Sequence, residues 1–336
     1  MRVSRRDVCF GLALTIVSHG GLTLPARAAV NGRYRGRIDK AALWDRALDV
    51  VLREVRDVLR GRGVSYAALR RDGGSVRVAL TDADTISDGM VILSSVARKR
   101  FALDARGFDL DLPRVELSWS GYEAQFAFAS TDKADVEAEA TRQSVEVLRR
   151  RLKALGLHRA RASLGSTGQI LLRVPDALNS LQHFALAGAE VTFHELRYDV
   201  PPDTTDARNL PSGTVRVRAP LGRPGYFVVS SRSLGTLAEL DRAVLGTDEN
   251  TSQPLVVLPA RRSLSSLHRR SLGEPNRILV AVVGDRALAT AQARGIEGGT
   301  ALGHGLAGNE LPELLRVLKA LSLPLPAPVI IKEMRK

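Results

Sequence analysis

From Lys40 to Arg60 the apolar residues Trp44, Leu48, Val51, Val55, Val58 and Leu59 recur three and four positions apart, the spacing that lines one face of an α-helix. Asp49 with Arg53, and Arg53 with Asp57, stand four apart on the outer side, where opposite charges support a helix. Gly61 and Gly63 follow, and glycine ends helices because it takes the left-handed conformation without a Cβ clash. The rhythm then changes to alternation. Tyr66–Leu69 and Ser75–Leu80 read as strands around Asp72-Gly73-Gly74, and Val115–Trp119 with Ala124–Ala129 read as a second hairpin around Gly121. Thr85–Arg98 between them has a helical pattern. Ala29–Arg37, ahead of the first helix, reads only as a polar lead-in.

Asp132–Leu155 carries Val136, Ala140, Val145, Leu148, Leu152 and Leu155 along one stripe and stops at Gly156. A hairpin of Arg159–Leu164 and Gln169–Val174 follows, then a short helix over Ala177–Ala187 and a strand over Glu190–Leu196. Tyr198–Pro224 holds five prolines, which predicts a loop around one strand at Thr214–Ala219. Further strands are predicted at Gly225–Ser230, Gln253–Leu258, Ile278–Val283, Ala287–Ala293 and Val329–Ile331. Helices are predicted at Arg262–Ser271 and Glu310–Leu321, the latter with Asn309 as N-cap. Helices separated by hairpins, without regular strand–helix alternation, predict an α+β fold with mostly antiparallel sheets.

The first 28 residues have a different logic. Arg2, Arg5 and Arg6 precede the apolar run Val8–Val17, and Ala26 and Ala28 close the segment with a small-residue pattern. That order predicts an export signal cut after Ala28. Arg5-Arg6 just ahead of the apolar run resembles a twin-arginine signal; a general secretory signal has the same zones. The single Cys, Cys9, lies in the same segment, so the exported chain would hold no disulfide and no Cys-based zinc site. Later apolar runs are strand-sized, far below the ~20 residues of a membrane span. The expected location is periplasmic or otherwise extracytoplasmic.

At 336 residues and 44% hydrophobic composition the chain can bury two cores. The net charge of +13 comes mainly from arginines scattered along the sequence, and aromatics make up only 4%. That is too few for the stacking platforms of single-strand nucleic-acid binders, so no nucleic-acid partner is expected. A basic surface would instead attract anionic lipid headgroups or acidic polypeptide segments.

A search for catalytic chemistry returns little. Gly303-His304-Gly305-Leu306-Ala307-Gly308 spells G-x-G-x-x-G. A dinucleotide site needs a strand running straight into the glycines and an acidic residue ~20 positions on; Gly295–Leu302 reads instead as a polar, glycine-rich loop, and the chain ~20 residues later is Pro324–Pro328. The six histidines (19, 158, 183, 194, 268 and 304) show no metal-binding spacing, and His194 reads as an ordinary sheet residue. No G-x-S-x-G occurs. Asp72, Asp82, Asp84 and Asp88 cluster near a turn, where aspartate is common for backbone reasons. No catalytic, cofactor-binding or metal-binding residue is assigned, and the expectation is a protein that is not an enzyme.

Several pieces resemble, in order, the large periplasmic domain of SecD, a subunit of the accessory complex of the Sec protein translocon. They are Arg60–Tyr66 with Val76-Arg77-Val78, the helix Thr141–Gly156, the strand Ile170–Pro175, the strand Gly188–Phe193, and Ile278–Arg286. The last are the glycines 298, 299 and 308 with Asn309, and Leu311–Leu321 with Leu323–Pro328. The resemblance implies a ferredoxin-like base with an inserted α+β head. The implied division is 29–197 as base, 198–224 as a Pro-rich linker and hinge, 225–309 as head and 310–336 as a helix and strand returning to the base. Asn31–Ile38, the hairpin at His158–Gly165 and Leu288–Ala291 depart from the family pattern. The family's membrane helices have no counterpart before Lys336, so the expected role is binding without energy coupling. The expected partners are polypeptide substrates or Sec translocon subunits. The alternative is a SecD-derived scaffold for another envelope assembly.

Overall fold

Exposed Arg33, Arg35 and Arg37 alternate with buried Gly32, Tyr34, Gly36 and Ile38, and this makes a strand of the segment read above as a polar lead-in. The strand, β1 (Gly32–Ile38), lies in the middle of a sheet. Hydrophobic counting misses it because two of its four inward positions are glycine. Gly36 has little room for anything larger, since a Cβ there would lie 3.0 Å from Val329 Cγ1.

The protein is a computed structural model that describes residues 32–81, 83–105, 108–175, 190–200, 210–220, 225–236, 243–247, 254–259, 278–292, 299–302 and 310–334, with positions 178, 182, 185 and 186. After β1 come α1 (Lys40–Gly61), β2 (Tyr66–Asp72), β3 (Ser75–Leu80), α2 (Ala83–Ala97), β4 (Ala102–Ala105), β5 (Phe108–Asp111), β6 (Val115–Ser120) and β7 (Glu123–Phe128). Next are α3 (Lys133–Ala154), β8 (Arg161–Leu164), β9 (Ile170–Val174), β10 (Val191–Val200), β11 (Thr214–Arg218), β12 (Tyr226–Ser230) and β13 (Gly235–Thr236). The chain continues through β14 (Val244–Thr247), β15 (Pro254–Pro259), β16 (Ile278–Val283), β17 (Arg286–Gln292) and β18 (Gly299–Leu302). It closes on α4 (Glu310–Leu321) and β19 (Val329–Glu333).

The base sheet has the order β19-β1-β9-β8 and is antiparallel throughout. Taken as β1, α3, β8, β9, α4, β19, this is the βαββαβ path of a ferredoxin-like fold, with the last strand returning beside the first. Two insertions interrupt it. The first, between β1 and α3, builds a four-stranded antiparallel sheet β2-β3-β7-β6 under α1 and α2. Its core holds Val51, Val55, Leu59, Val76, Val78, Leu93 and Phe126.

The second insertion, between β9 and α4, holds a ring of five strands. The order β12-β11-β17-β16-β10 closes through a β10–β12 pairing, and β13 extends β10 outside the ring. Phe227, Val229, Val280, Val282 and Val217 fill it. Only β11 and β17 run parallel, bridged at Arg218 and Arg286. A smaller sheet, β14-β15-β18, accompanies the ring. The other side of the ring, including Phe193, Leu279, Ala281 and Leu288, joins one core with α3 and α4 of the base.

Several expectations are corrected here. β10, expected to end at Leu196 and go with the base, crosses the 197/198 boundary and runs to Val200, paired with β12 and β16. Within 198–224, expected as a linker around one strand, β11 falls where that strand was expected, and it and the end of β10 are hydrogen-bonded into the ring. The strand pairs β4–β5 and β14–β15 were not fully anticipated because each strand of the first pair, and β14, has only four residues. The predicted helix at 262–271 and most of that at 177–187 lie outside the described residues.

The return of β19 to the base depends on two arginines. The connection Leu323–Pro328 has prolines at 324, 326 and 328, which have no N–H to give a neighbour, while its carbonyls still need donors. Arg151 on α3, only 2% exposed, donates from Nε to Leu323 O at 2.9 Å and from Nη1 to Ala185 O at 2.6 Å, with Nη2 also on Leu323 O. Arg46 on α1 donates to Leu325 O at 2.8 Å and to Pro326 O at 3.3 Å. The Asp39 backbone N–H completes the set on Pro328 O at 2.8 Å. Burial, with a smaller push from the Arg46 charge, lowers the Arg151 pKa to about 9, so the group stays protonated at neutral pH.

Arg151→Ala is expected to destabilise the fold by about 3–5 kcal/mol, from a cavity plus unsatisfied carbonyls. Arg151→Met, which keeps most of the volume, is expected to lose less. Urea denaturation of the two variants beside the wild type measures both.

Candidate functional site

Where α1 meets α3, charged residues are drawn together. Lys40 Nζ lies 2.5 Å from Glu137 Oε2, and Trp44 Nε1 donates to Glu137 Oε1 at 3.0 Å. The Lys133 ammonium sits 5.4 Å from the Trp44 ring centre, and the Phe128 ring packs against Trp44 with centroids 5.5 Å apart and planes tilted by 49°. Burial pushes the Glu137 carboxyl upward, but the bonds from Lys40 and Trp44 and the charges of Lys40 and Lys133 outweigh it. Its pKa therefore falls below the ordinary value.

Next to this cluster is a cleft of about 690 Å³, lined by Asp39, Lys40, Glu137, Thr141, Gln169 and Ile330 among others. Several of its polar groups are engaged within the protein. Asp39 accepts from the Ala42 N–H at 3.1 Å as the N-cap of α1, Thr141 Oγ1 donates to Glu137 O at 2.7 Å, and Gln169 is bonded to the Thr167 backbone N–H at 3.1 Å. Glu137, held ionised, has no proton to give at neutral pH. The cleft joins two lobes, and its side chains form no nucleophile–base pair.

His194, on β10, bridges the ring: Nδ1 lies 2.7 Å from Ser230 O and Nε2 2.9 Å from Thr192 Oγ1. That is the sheet role read from the sequence. Asp72 closes the β2–β3 turn, where Ser75 Oγ donates to its carbonyl at 2.9 Å, and Arg77 lies 2.9 Å from its carboxylate. Asp88 is exposed on α2. Among the described residues no three His, Cys, Asp or Glu side chains are grouped to hold a metal ion. Arg5, Arg6, Ala26 and Ala28, and the glycines 303, 305 and 308, lie outside the described residues.

A second depression has a different character. Met90, Ser94, Ala97 and Arg98 at the end of α2 face Arg114, Val115, Leu117 and Trp119 across about 610 Å³. Met90 is 43% exposed and its neighbour Val91 73%. β6, which forms one wall, is the last strand of its sheet. Sequence reading found the hairpin but not this groove, because the groove depends on how far α2 overhangs the sheet, and no residue pattern encodes that.

The strand order defines the class: a ferredoxin-like α+β base that carries two inserted lobes and has no built catalytic centre among its described residues. No protein-family model matches the chain. It is similar to the protein translocase subunit SecD of Rhodobacter capsulatus, 26% identical over 238 residues that cover 69% of this chain and 40% of the relative. It is also similar to SecD of Rickettsia prowazekii, 25% identical over 234 residues, covering 65% and 43%. The chain thus carries a SecD-like domain and spans less than half the length of these curated relatives.

Among solved structures, SecDF in its super-membrane-facing form matches at 18% identity and a TM-score of 0.38, over 57% of this chain and 27% of that one. A structure of SecDF described as a membrane component that enhances protein export matches at 19% and 0.37, over 59% and 94%. The fold assignment rests on the strand order above. No helix among the described residues is long and apolar enough to cross a membrane.

Because the folded pKa of Glu137 lies below its unfolded value, its stabilising contribution is complete above the unfolded value and is lost as pH falls through the folded one. The stability gap between wild type and Glu137→Gln is therefore expected to be full at pH 7 and to close as the carboxylate protonates. Denaturant midpoints across the acid range read it.

Proposed function

We propose that the chain is an exported SecD-like domain that works outside the cytoplasmic membrane as a non-catalytic binder of polypeptides, or of translocon components, during protein export. The observation that carries this reading is the relation to SecD over about two thirds of the chain. Three further features support it. Glu137 in the cleft is tied to Lys40 and Trp44 across the α1–α3 junction, and Asp39, Thr141 and Gln169 are occupied by local bonds, which suits a binding module better than an acid–base catalyst. The sequence before Gly32 has the zones of an export signal, with Arg5 and Arg6 ahead of the apolar run and Ala26 and Ala28 at its end. The net charge of +13 would draw acidic segments, or the anionic face of the membrane on which a translocon sits.

Two measurements test the reading. The purified protein without residues 1–28 is expected to slow the aggregation of a denatured substrate at near-equimolar ratio, or to copurify with translocon subunits from solubilised membranes. If it does neither, the reading is wrong. In cells, the mature N-terminus is expected at Ala29, and replacing Arg5-Arg6 by two lysines is expected to leave uncleaved chain in the cytoplasm if the route is twin-arginine. Amino-terminal sequencing of the periplasmic fraction decides the first point and fractionation the second.

A further inference from the structure

Sheets usually blunt their open edges. At β2 the register slips between Tyr66 and Ala68, and Arg70 and Arg71 charge the strand, with Arg71 held by Asp45 and Asp49 of α1 at 3.5 Å each. β19 carries Lys332 and Glu333, β8 has four residues beginning with Arg161, and the five-stranded ring closes on itself. Bulges, basic side chains, shortness and closure are the means by which proteins keep edges from pairing with other chains.

β6 uses none of these. Val115-Glu-Leu-Ser-Trp-Ser120 has six residues in unbroken register with β7, without Lys, Arg or Pro. The Ala129 N–H donates to Arg114 O at 3.1 Å, and the register puts Glu116, Ser118 and Ser120 in the same bonding phase toward β7. By the alternation of an antiparallel ladder, the N–H and C=O groups of Val115, Leu117 and Trp119 then point to the open side. The side chains of these three residues line the groove beneath α2. Among the described residues this edge offers a row of unmade backbone bonds beside a row of apolar contacts; Arg114 adjoins Val115, and Arg98, just past the end of α2, lines the same groove.

We infer that β6 receives an extended polypeptide segment by strand addition. The added segment would place alternate apolar side chains under Met90 and Ala97, and a carboxylate against Arg98 and Arg114. The occupant is an extended chain because only another backbone can meet alternating donors and acceptors along a strand. It is acidic at one end because the groove is basic at one end. This rests on the polypeptide-binding reading above and supplies its site.

The test uses the protein without residues 1–28 and two probes: a permanently unfolded chain (reduced, carboxymethylated α-lactalbumin), and a labelled ten-residue peptide alternating valine and threonine with two aspartates at its carboxyl end, the end that an antiparallel strand brings to Val115. Leu117→Pro removes the outward N–H while sparing the ladder to β7, since proline is tolerated on an edge strand. Leu117→Ala removes the same side chain and keeps the N–H. Circular dichroism and thermal melting first establish that both fold. Leu117→Pro is expected to bind the peptide about fivefold more weakly than Leu117→Ala, the worth of roughly one net hydrogen bond. Arg98→Glu with Arg114→Glu is expected to weaken the aspartate peptide more than one with asparagines in their place.

Equal binding by the two Leu117 variants overturns the inference. If the wild type still binds the unfolded chain and Leu117→Pro binds it equally well, polypeptide binding stands and its site lies elsewhere. If the wild type binds neither probe, both readings fall. Self-association lost only in Leu117→Pro, without peptide binding, would assign the edge to a second copy and would also overturn the proposal.

Discussion

The fold depends on a segment that cannot bond with itself. Leu323–Pro328 crosses from α4 to β19 with a proline at every second position, so its carbonyls must be met from outside. Arg151 and Arg46 supply these bonds from two different helices, and the Asp39 N–H adds the last. The segment delivers β19 to its place beside β1, and β1 is the strand into which both β19 and β9 are laced. The same two arginines draw α1, which roots the first lobe, and α3, which spans the base, onto one strip of backbone. Arg151 has no carboxylate partner in its bonding set; it spends its guanidinium on carbonyls, which tolerate a buried cation because they are the negative ends of peptide dipoles.

With the base fixed in this way, the two insertions end differently. The second closes its main sheet into a ring and buries the outside of that ring against α3 and α4. The strands of that ring satisfy one another. The first remains an open four-stranded sheet, joined to the base by α1 and by the Lys40–Glu137–Trp44 cluster, and it presents β6 outward. An open edge held on a rigid base can receive a chain without the fold being rebuilt, which is what a binder that meets many different segments requires.

The helices were legible because their stripes are long: α1 and α3 each have 22 residues, enough for the 3.6-residue period to outweigh local noise. The hairpins at Asp72-Gly73-Gly74 and Gly121 were legible from turn chemistry, and both Gly73 and Gly121 adopt the positive φ that glycine permits. β1 was not legible, because its inward positions are Gly, Tyr, Gly and Ile, so its regular feature is the arginines on the outside. The reading of β10 ends at Leu196 because Arg197-Tyr198-Asp199 breaks the apolar alternation and prolines follow Val200, yet pairing with β12 carries it on. Arg151 follows Arg149 and Arg150 directly in the sequence, where nothing singles it out. Its burial arises from the α4–β19 connection, 172 residues away along the chain. The groove beside β6 belongs to the same category, as a product of tertiary placement.

The central claim is that this SecD-like chain takes hold of extended polypeptide, and that it does so at the open edge of its first lobe. Amide hydrogen exchange, followed with and without a saturating unfolded chain, tests both halves at once. The expected result is slowed exchange at Val115, Leu117 and Trp119 and along the last turns of α2, with the five-stranded ring unchanged. Exchange that is identical in the two samples across the whole chain would contradict the claim.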